Sequence, residues 1–237
     1  MPEPVDLWYA RESLLDDAPV AARFAALLAP DERARLERMA TNSGRQQQLL
    51  TRGMQREVLS RYVPSVAPRD WRFERGAGGR PELAPAFAPT GLNFNLAHTP
   101  GLVALAVGRV ARIGVDVEAS DKPVPLPVAR RYFSPREVAA LDALPPEARP
   151  RRFLRLWTLK EAYLKALGEG LPGGLDRMTF TLDDGAEIGF ASEDSPAEHW
   201  VFREFTQGGY LLALAYLDPP GTGTAADVRL REYRAES

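Results

Sequence analysis

Residues 151–172, RRFLRLWTLKEAYLKALGEGLP, constrain this chain more than any other stretch. Apolar residues recur at three- and four-residue steps through Phe153, Leu156, Leu159, Tyr163 and Leu167, with Trp157 and Leu164 beside them, the period of a helix with one buried face. Pro150 fits just ahead of the first turn, where its missing N–H costs nothing. Gly168 and Gly170 end the helix and Pro172 forbids its return. Trp157, Glu161 and Lys165 stand four apart along one side. Taken alone, Glu161 and Lys165 read as an ordinary surface pair worth roughly 0.2–0.5 kcal/mol.

Composition removes several function classes. Lys plus Arg is 30 against 32 for Asp plus Glu, a net charge of −2, so the basic excess of a nucleic-acid binder is missing. There is no cysteine, which excludes disulfides, cysteine–zinc sites and thiol catalysis. Two histidines are too few for a histidine metal site. No apolar run is long enough to span a membrane and MPEPVDLWYARES has no signal-peptide pattern, so the expectation is a soluble cytoplasmic protein. With 45% hydrophobic residues over 237 positions, the chain can fill a core in one large domain or two modest ones.

Along the chain, Val5–Tyr9 reads as a strand, and Val20–Leu28 and Asp31–Met39 as helices broken at Pro30. Gly44 interrupts, and Gln46–Tyr62 is a long helix studded with arginines. Trp71–Glu74 is a strand before the glycine loop GAGGRP, which carries Arg80 and lacks a full phosphate-loop pattern. Leu92–Val107 alternates and then turns apolar around Thr99-Pro100-Gly101, a hairpin with His98 at its turn. In Arg112–Glu118, RIGVDVE, Ile113, Val115 and Val117 point one way and Gly114, Asp116 and Glu118 the other. Ala119–Pro127 is a proline-rich connection, and Ser134-Pro135-Arg136-Glu137 a capping box. Strands follow at Met178–Leu182, Glu187–Phe190, Trp200–Phe205 and Tyr210–Tyr216, with turns at Asp183-Asp184-Gly185 and Gln207-Gly208-Gly209, and a closing strand near Val228–Leu230 after Pro219-Pro220-Gly221. The fold class is α+β. Two similar halves, 1–118 and 119–237, each set a long helix against a small, mainly antiparallel sheet, with the site between them.

If the 151–167 helix packs against the RIGVDVE strand, Asp116, Glu118 and Glu161 converge. Bare carboxylates about 4 Å apart repel by roughly 1–4 kcal/mol, and a hard divalent cation reverses that sign. An all-oxygen set suits Mg²⁺, with Mn²⁺ as the alternative, and not Zn²⁺. Arg45, Arg80, Lys160 and Lys165 are cations suited to phosphate. The residues alone point to Mg²⁺-assisted chemistry on a phosphate or pyrophosphate.

Separated motifs in one order carry a resemblance: Arg80-Pro81 after glycine, Phe94-Asn95-Leu96-Ala97-His98, Ile113-Gly114-Val115-Asp116-Val117-Glu118, Phe133-Ser134-Pro135-Arg136-Glu137, and Trp157-Thr158-Leu159-Lys160-Glu161-Ala162 trailed by Lys165, Gly168, Gly170 and Leu171. The chain resembles the surfactin-synthetase-type (Sfp-type) 4'-phosphopantetheinyl transferases. The resemblance implies transfer of phosphopantetheine from coenzyme A to a serine of an acyl or peptidyl carrier protein, releasing adenosine 3',5'-bisphosphate, in fatty-acid, polyketide or peptide synthesis. It assigns metal binding to Asp116, Glu118 and Glu161. Arg80, His98 and, by looser alignment, Arg45 would hold the nucleotide end of coenzyme A, and Lys165 the pyrophosphate. Glu161 would be the base for the incoming serine. Ala97 departs from the serine that family members often have before the histidine, so a hydroxyl contact to coenzyme A is lost. Arg130, Arg131, Arg149, Arg151, Arg152 and Arg155 form a basic cluster suited to an acidic carrier. A monomer is expected. The competing readings are a Mg²⁺-dependent pyrophosphate hydrolase and a carrier-binding module without catalysis.

Overall fold

The computed structural model of the chain describes residues 3–76, 79–168, 174–182, 188–193, 198–218 and 226–235. Gly170, Leu171, Pro172, the Asp183-Asp184-Gly185 turn and Pro219-Pro220-Gly221 lie outside the described residues. The hairpin forms as its alternation requires: β4 (Asn93–Thr99) pairs antiparallel with β5 (Leu102–Gly108) across Pro100-Gly101. Next to β5 lies β1 (Val5–Arg11), and beyond it β11 (Val228–Glu232) pairs parallel, giving the order β11-β1-β5-β4.

A second sheet is built from β6 (Ile113–Ala119), β9 (Trp200–Gln207) and β10 (Tyr210–Leu217), ordered β6-β10-β9. The sequence grouping places the RIGVDVE strand with the hairpin before it. Its backbone ladder runs instead to β10, from Tyr210↔Ala119 to Tyr216↔Ile113. The last strand likewise returns to the first sheet, where buried Asp6 accepts from Tyr62 Oη (2.5 Å) and from the Nε atoms of Arg229 and Arg231 (2.8 Å each). Among the described residues, two short antiparallel pairs complete the strands: β2 (Phe73–Arg75) with β3 (Pro81–Leu83), and β7 (Met178–Thr181) with β8 (Gly189–Ser192).

Side-chain alternation decides how these sheets stack. Val5, Leu7 and Tyr9, with Leu102, Ala104 and Ala106, meet Ile113, Val115, Val117, Leu212, Leu214 and Tyr216 in a core between the sheets. The opposite face of the first sheet, through Trp8, Val103 and Leu105, packs on the helices α1 (Ala18–Leu27) and α3 (Asn42–Tyr62). The opposite face of the second, through Ala213, Ala215 and Phe202, packs on α6 (Arg149–Leu167). Each of the two larger sheets thus carries a long helix, the α+β arrangement expected, with β6 in the second sheet and β11 in the first. Gly44 does not interrupt α3. It lies in the first turn, and its N–H donates to the capping Thr41 Oγ1 at 3.2 Å.

The α6 contact is unusually close. A Cβ at Gly114 would stand 2.0 Å from the carbonyl oxygen of Ala162 and 2.5 Å from the amide nitrogen of Ala166. Only glycine lets the helix backbone lie on β6 there. Buried Phe153, Leu156, Leu159 and Tyr163 hold it down, at about 1.5–3 kcal/mol for each fully buried side chain. Exposed ion pairs contribute about 0–1 kcal/mol, so packing, not surface charge, fixes which way Glu161 and Lys165 point. At the C-terminal end, Gly168 caps the helix in the left-handed region (φ 79°), as the sequence requires. Replacing Gly114 with valine should cost about 1–3 kcal/mol or more by overpacking. A lowered urea midpoint at unchanged slope checks this; an unchanged midpoint would contradict it.

Candidate active site

On the face of β6 that meets α6 stand Gly114, Asp116 and Glu118, paired across the ladder with Ala215, Ala213 and Leu211. Lys165 reaches back from α6 and donates to Asp116 Oδ1 at 2.6 Å. The helix-surface pair with Glu161 that the spacing suggests is therefore replaced by a bridge from helix to strand. Burial pushes the Asp116 carboxyl above the usual carboxylate range, while the Lys165 ammonium pulls it back. Burial likewise raises Glu161, and the charge of Asp116 adds to the shift. Glu118 lies close enough to raise both, and its own Oε1 accepts from Lys122 Nζ at 2.7 Å.

Two of these acids are incompletely satisfied. Asp116 Oδ2 and Glu161 Oε1 are buried without a hydrogen-bond partner. A buried polar atom left so costs about 1–3 kcal/mol, and more when charged. A hard cation between the two oxygens would remove that cost, so the donor chemistry fits Mg²⁺ or Mn²⁺. Among the described residues, no three acids stand close enough, as they are oriented, to enclose an ion. Glu118, the third acid of the expected set, is turned toward Lys122.

The cations sort into three groups. Arg80 joins the site: Nη1 donates to the Lys165 carbonyl at 2.8 Å, and Nε to Glu82 Oε1 at 2.8 Å. His98 joins it from the first sheet. Its ring edge is open to solvent, while the surrounding protein and the nearby Lys165 ammonium push its pKa down. Arg45 sits in the first turn of α3 and donates to the Met39 carbonyl at 2.6 Å; no contact joins it to the others.

Lys160 does not belong to the site. It is fully buried, pairs with Glu137 Oε2 at 2.8 Å, and donates to the carbonyls of Leu175 and Met178 at 2.7 Å each. All three of its protons are used inside the protein, which leaves none for a phosphate. The physical reason is its place on α6, one residue before Glu161 and so turned about 100° away, onto the buried side.

Glu137 is what the sequence reading undervalued. It completes the capping box on α5 (Pro135–Asp142), accepting from Ser134 N–H at 2.8 Å, and also accepts from Phe180 N–H at 2.8 Å. Asn95 is a second such residue. Its Oδ1 accepts the Val115 N–H at 3.0 Å, tying β4 to the strand that carries Asp116. The signal for Glu137 was a box glutamate followed by an apolar helix with an inward lysine; nothing in the alternation of β4 marked Asn95.

Two family models cover most of the chain. One, described as 4'-phosphopantetheinyl transferase, N-terminal, matches residues 18–109; the other, the 4'-phosphopantetheinyl transferase superfamily, matches residues 112–215. The putative 4'-phosphopantetheinyl transferase slr0495 of Synechocystis sp. is 34% identical over 185 residues, 78% of this chain and 74% of that protein. The chain belongs to the 4'-phosphopantetheinyl transferase family. HetI of Nostoc sp., a 4'-phosphopantetheinyl transferase, is 40% identical over 149 residues, and the match spans 62% of each protein. Sfp of Bacillus subtilis, also a 4'-phosphopantetheinyl transferase, is 28% identical over 200 residues, covering 83% of this chain and 85% of Sfp. Among solved structures, the holo-[acyl-carrier-protein] synthase of Thermotoga maritima aligns over 46% of this chain and 63% of its own, at 23% identity and a TM-score of 0.37. In this chain the two family models meet between residues 109 and 112, ahead of β6.

Removing Lys160's charge from its buried pair tests its structural role. Lys160→Met should lose about 3–5 kcal/mol of stability, because Glu137 is left uncompensated. Denaturant unfolding reads the loss. Unchanged stability with weakened coenzyme A binding would contradict it and return Lys160 to the site.

Proposed function

We propose that this chain transfers 4'-phosphopantetheine from coenzyme A to a serine of an apo acyl or peptidyl carrier protein, with adenosine 3',5'-bisphosphate as the second product. The single observation that carries this reading is the pair of unpartnered buried oxygens, Asp116 Oδ2 and Glu161 Oε1, beside the Lys165–Asp116 bridge. Family membership supplies the class of reaction. Asp116 and Glu161 are the residues that would hold Mg²⁺ or Mn²⁺, with Glu118 turning from Lys122 to join them. The bound ion would neutralise charge across the pyrophosphate.

The chain's own residues do the rest. Lys165 would stabilise the charge that the leaving phosphate gains as the serine oxygen bonds to the β-phosphorus and the bond to the bridging oxygen breaks. Glu161, its carboxyl raised by burial and by the charge of Asp116, would take the serine proton. His98 and Arg80 approach from the first sheet and the glycine loop, on the side assigned to the nucleotide end. Arg45, near the start of α3, is proposed as a further phosphate contact on that side. Asp116, Glu118, His98 and Arg80 come from residues 1–118 and Glu161 and Lys165 from 119–237, which supports the reading that one chain completes the site. The reading carries with it a cytoplasmic monomer serving secondary-metabolite or fatty-acid synthases; among the described residues, no helix is long and apolar enough to cross a membrane.

Incubation with coenzyme A, Mg²⁺ and a panel of apo carriers tests the proposal by mass spectrometry. The wild-type chain should add one phosphopantetheine to a carrier serine, and Asp116→Ala or Glu161→Gln should slow this by about 10²–10³-fold or more. Chelation of Mg²⁺ should stop it. Release of free phosphopantetheine with no modified protein would support the hydrolase reading instead, and wild-type rates in either variant would refute the site.

A further inference from the structure

Lys165 is held at both ends by distant segments. Its ammonium meets Asp116 on β6 at 2.6 Å. Its carbonyl accepts from Arg80 Nη1 at 2.8 Å, a bond that spans 85 positions of sequence. That carbonyl lies in the last turn of α6, where helical N–H partners run out. Gly168 N–H gives it only a long contact, at 3.3 Å, and meets Leu164 more closely, at 3.0 Å. A guanidinium suits this helix end, because the aligned peptide dipoles leave partial negative charge there.

Arg80 is itself braced. Its Nε donates to Glu82 Oε1 at 2.8 Å, and Glu82 stands on β3 just past the glycine loop. Gly76 N–H closes that loop by donating to the Arg80 carbonyl at 2.9 Å. A Cβ at Gly76 would fall 2.1 Å from the same Glu82 oxygen, so glycine leaves room for the carboxylate. Among the described residues, two of the five guanidinium N–H groups are engaged, and the others remain for a phosphate. A lysine would bring the charge without the fork that serves two partners at once.

We propose that Arg80 is a positioning residue for Lys165: braced by Glu82, it clamps the last turn of α6 to the glycine loop, so that a phosphate on Arg80 and the Lys165 ammonium keep one fixed spacing. The inference rests on the transferase reading above and adds Glu82, to which that reading gives no part. Two measurements test it: steady-state kinetics of the full chain with coenzyme A and a carrier that the wild type modifies, and hydrogen exchange of the ligand-free protein. Arg80→Lys should lower kcat about tenfold or more, with the KM for coenzyme A within about twofold of wild type. Glu82→Ala separates bracing from electrostatics. By charge alone, loss of a carboxylate beside a phosphate site would lower that KM and leave kcat unchanged, whereas loss of the brace lowers kcat. The double variant should be no slower than Arg80→Lys, since both act through one contact. In both single variants the amides of the last turn of α6 should exchange faster. Glu82 is part-exposed on a two-stranded pair, so its variant decides the matter even where Arg80→Lys fails to fold.

A raised KM for coenzyme A with unchanged kcat in Arg80→Lys overturns the proposal, by leaving Arg80 a nucleotide contact alone. Wild-type kcat in Glu82→Ala overturns it too, as does unchanged exchange at the end of α6 in both variants. Failure of the wild type to modify any carrier removes the transferase reading, and the exchange result then decides the clamp by itself.

Discussion

The arrangement depends on a helix laid against a strand with no side chain between them. At Gly114 the backbone of β6 meets the backbone of α6 at Ala162 and Ala166, so no larger residue can hold the two apart. That approach brings a lysine four residues past Glu161 within hydrogen-bond reach of a carboxylate on the strand. A wider separation of α6 from β6 would open the space between Asp116 and Glu161 to water. Here they share a partly dry space, and their raised pKa values and unpartnered oxygens both follow from that closeness.

The two lysines of α6 show how a few degrees around a helix separate structure from chemistry. Lys160 and Lys165 lie in one motif and carry the same charge. Lys160 turns inward, where Glu137 and two carbonyls take all its protons, while Lys165 faces the strand and stays partly open. A buried ion pair of this kind contributes little net stability by itself but is costly to break from one side. It therefore serves to fix the helix against α5 and β7, and so to fix where Glu161 points.

Much of this was legible in the sequence because it rests on periodicity. The stripe of α6, the hairpin around Pro100-Gly101 and the alternation of Asp116 and Glu118 are local signals, and the structure keeps each of them. The capping box at Ser134 and the glycine stop at Gly168 are equally local. What escaped depends on pairing between distant segments. Nothing in RIGVDVE says that its ladder partner lies about a hundred residues later, or that the last strand returns to the first. Lys160 was misjudged for the same reason: charge and motif placed it near phosphate, and only the position of the Leu175 and Met178 carbonyls shows that it is enclosed. The arginine cluster was read by count, whereas its free charge is set by Glu204, Asp142 and the helix-end carbonyls that claim most of its members.

The central claim is that the unpartnered oxygens of Asp116 and Glu161 await a divalent ion. Electron paramagnetic resonance of Mn²⁺ in the presence of coenzyme A tests it without any turnover. The account predicts that the free-ion signal is suppressed up to about one equivalent of Mn²⁺ per wild-type chain and persists from the first addition in Asp116→Asn. Equal binding by both proteins, or none by the wild type, would contradict it.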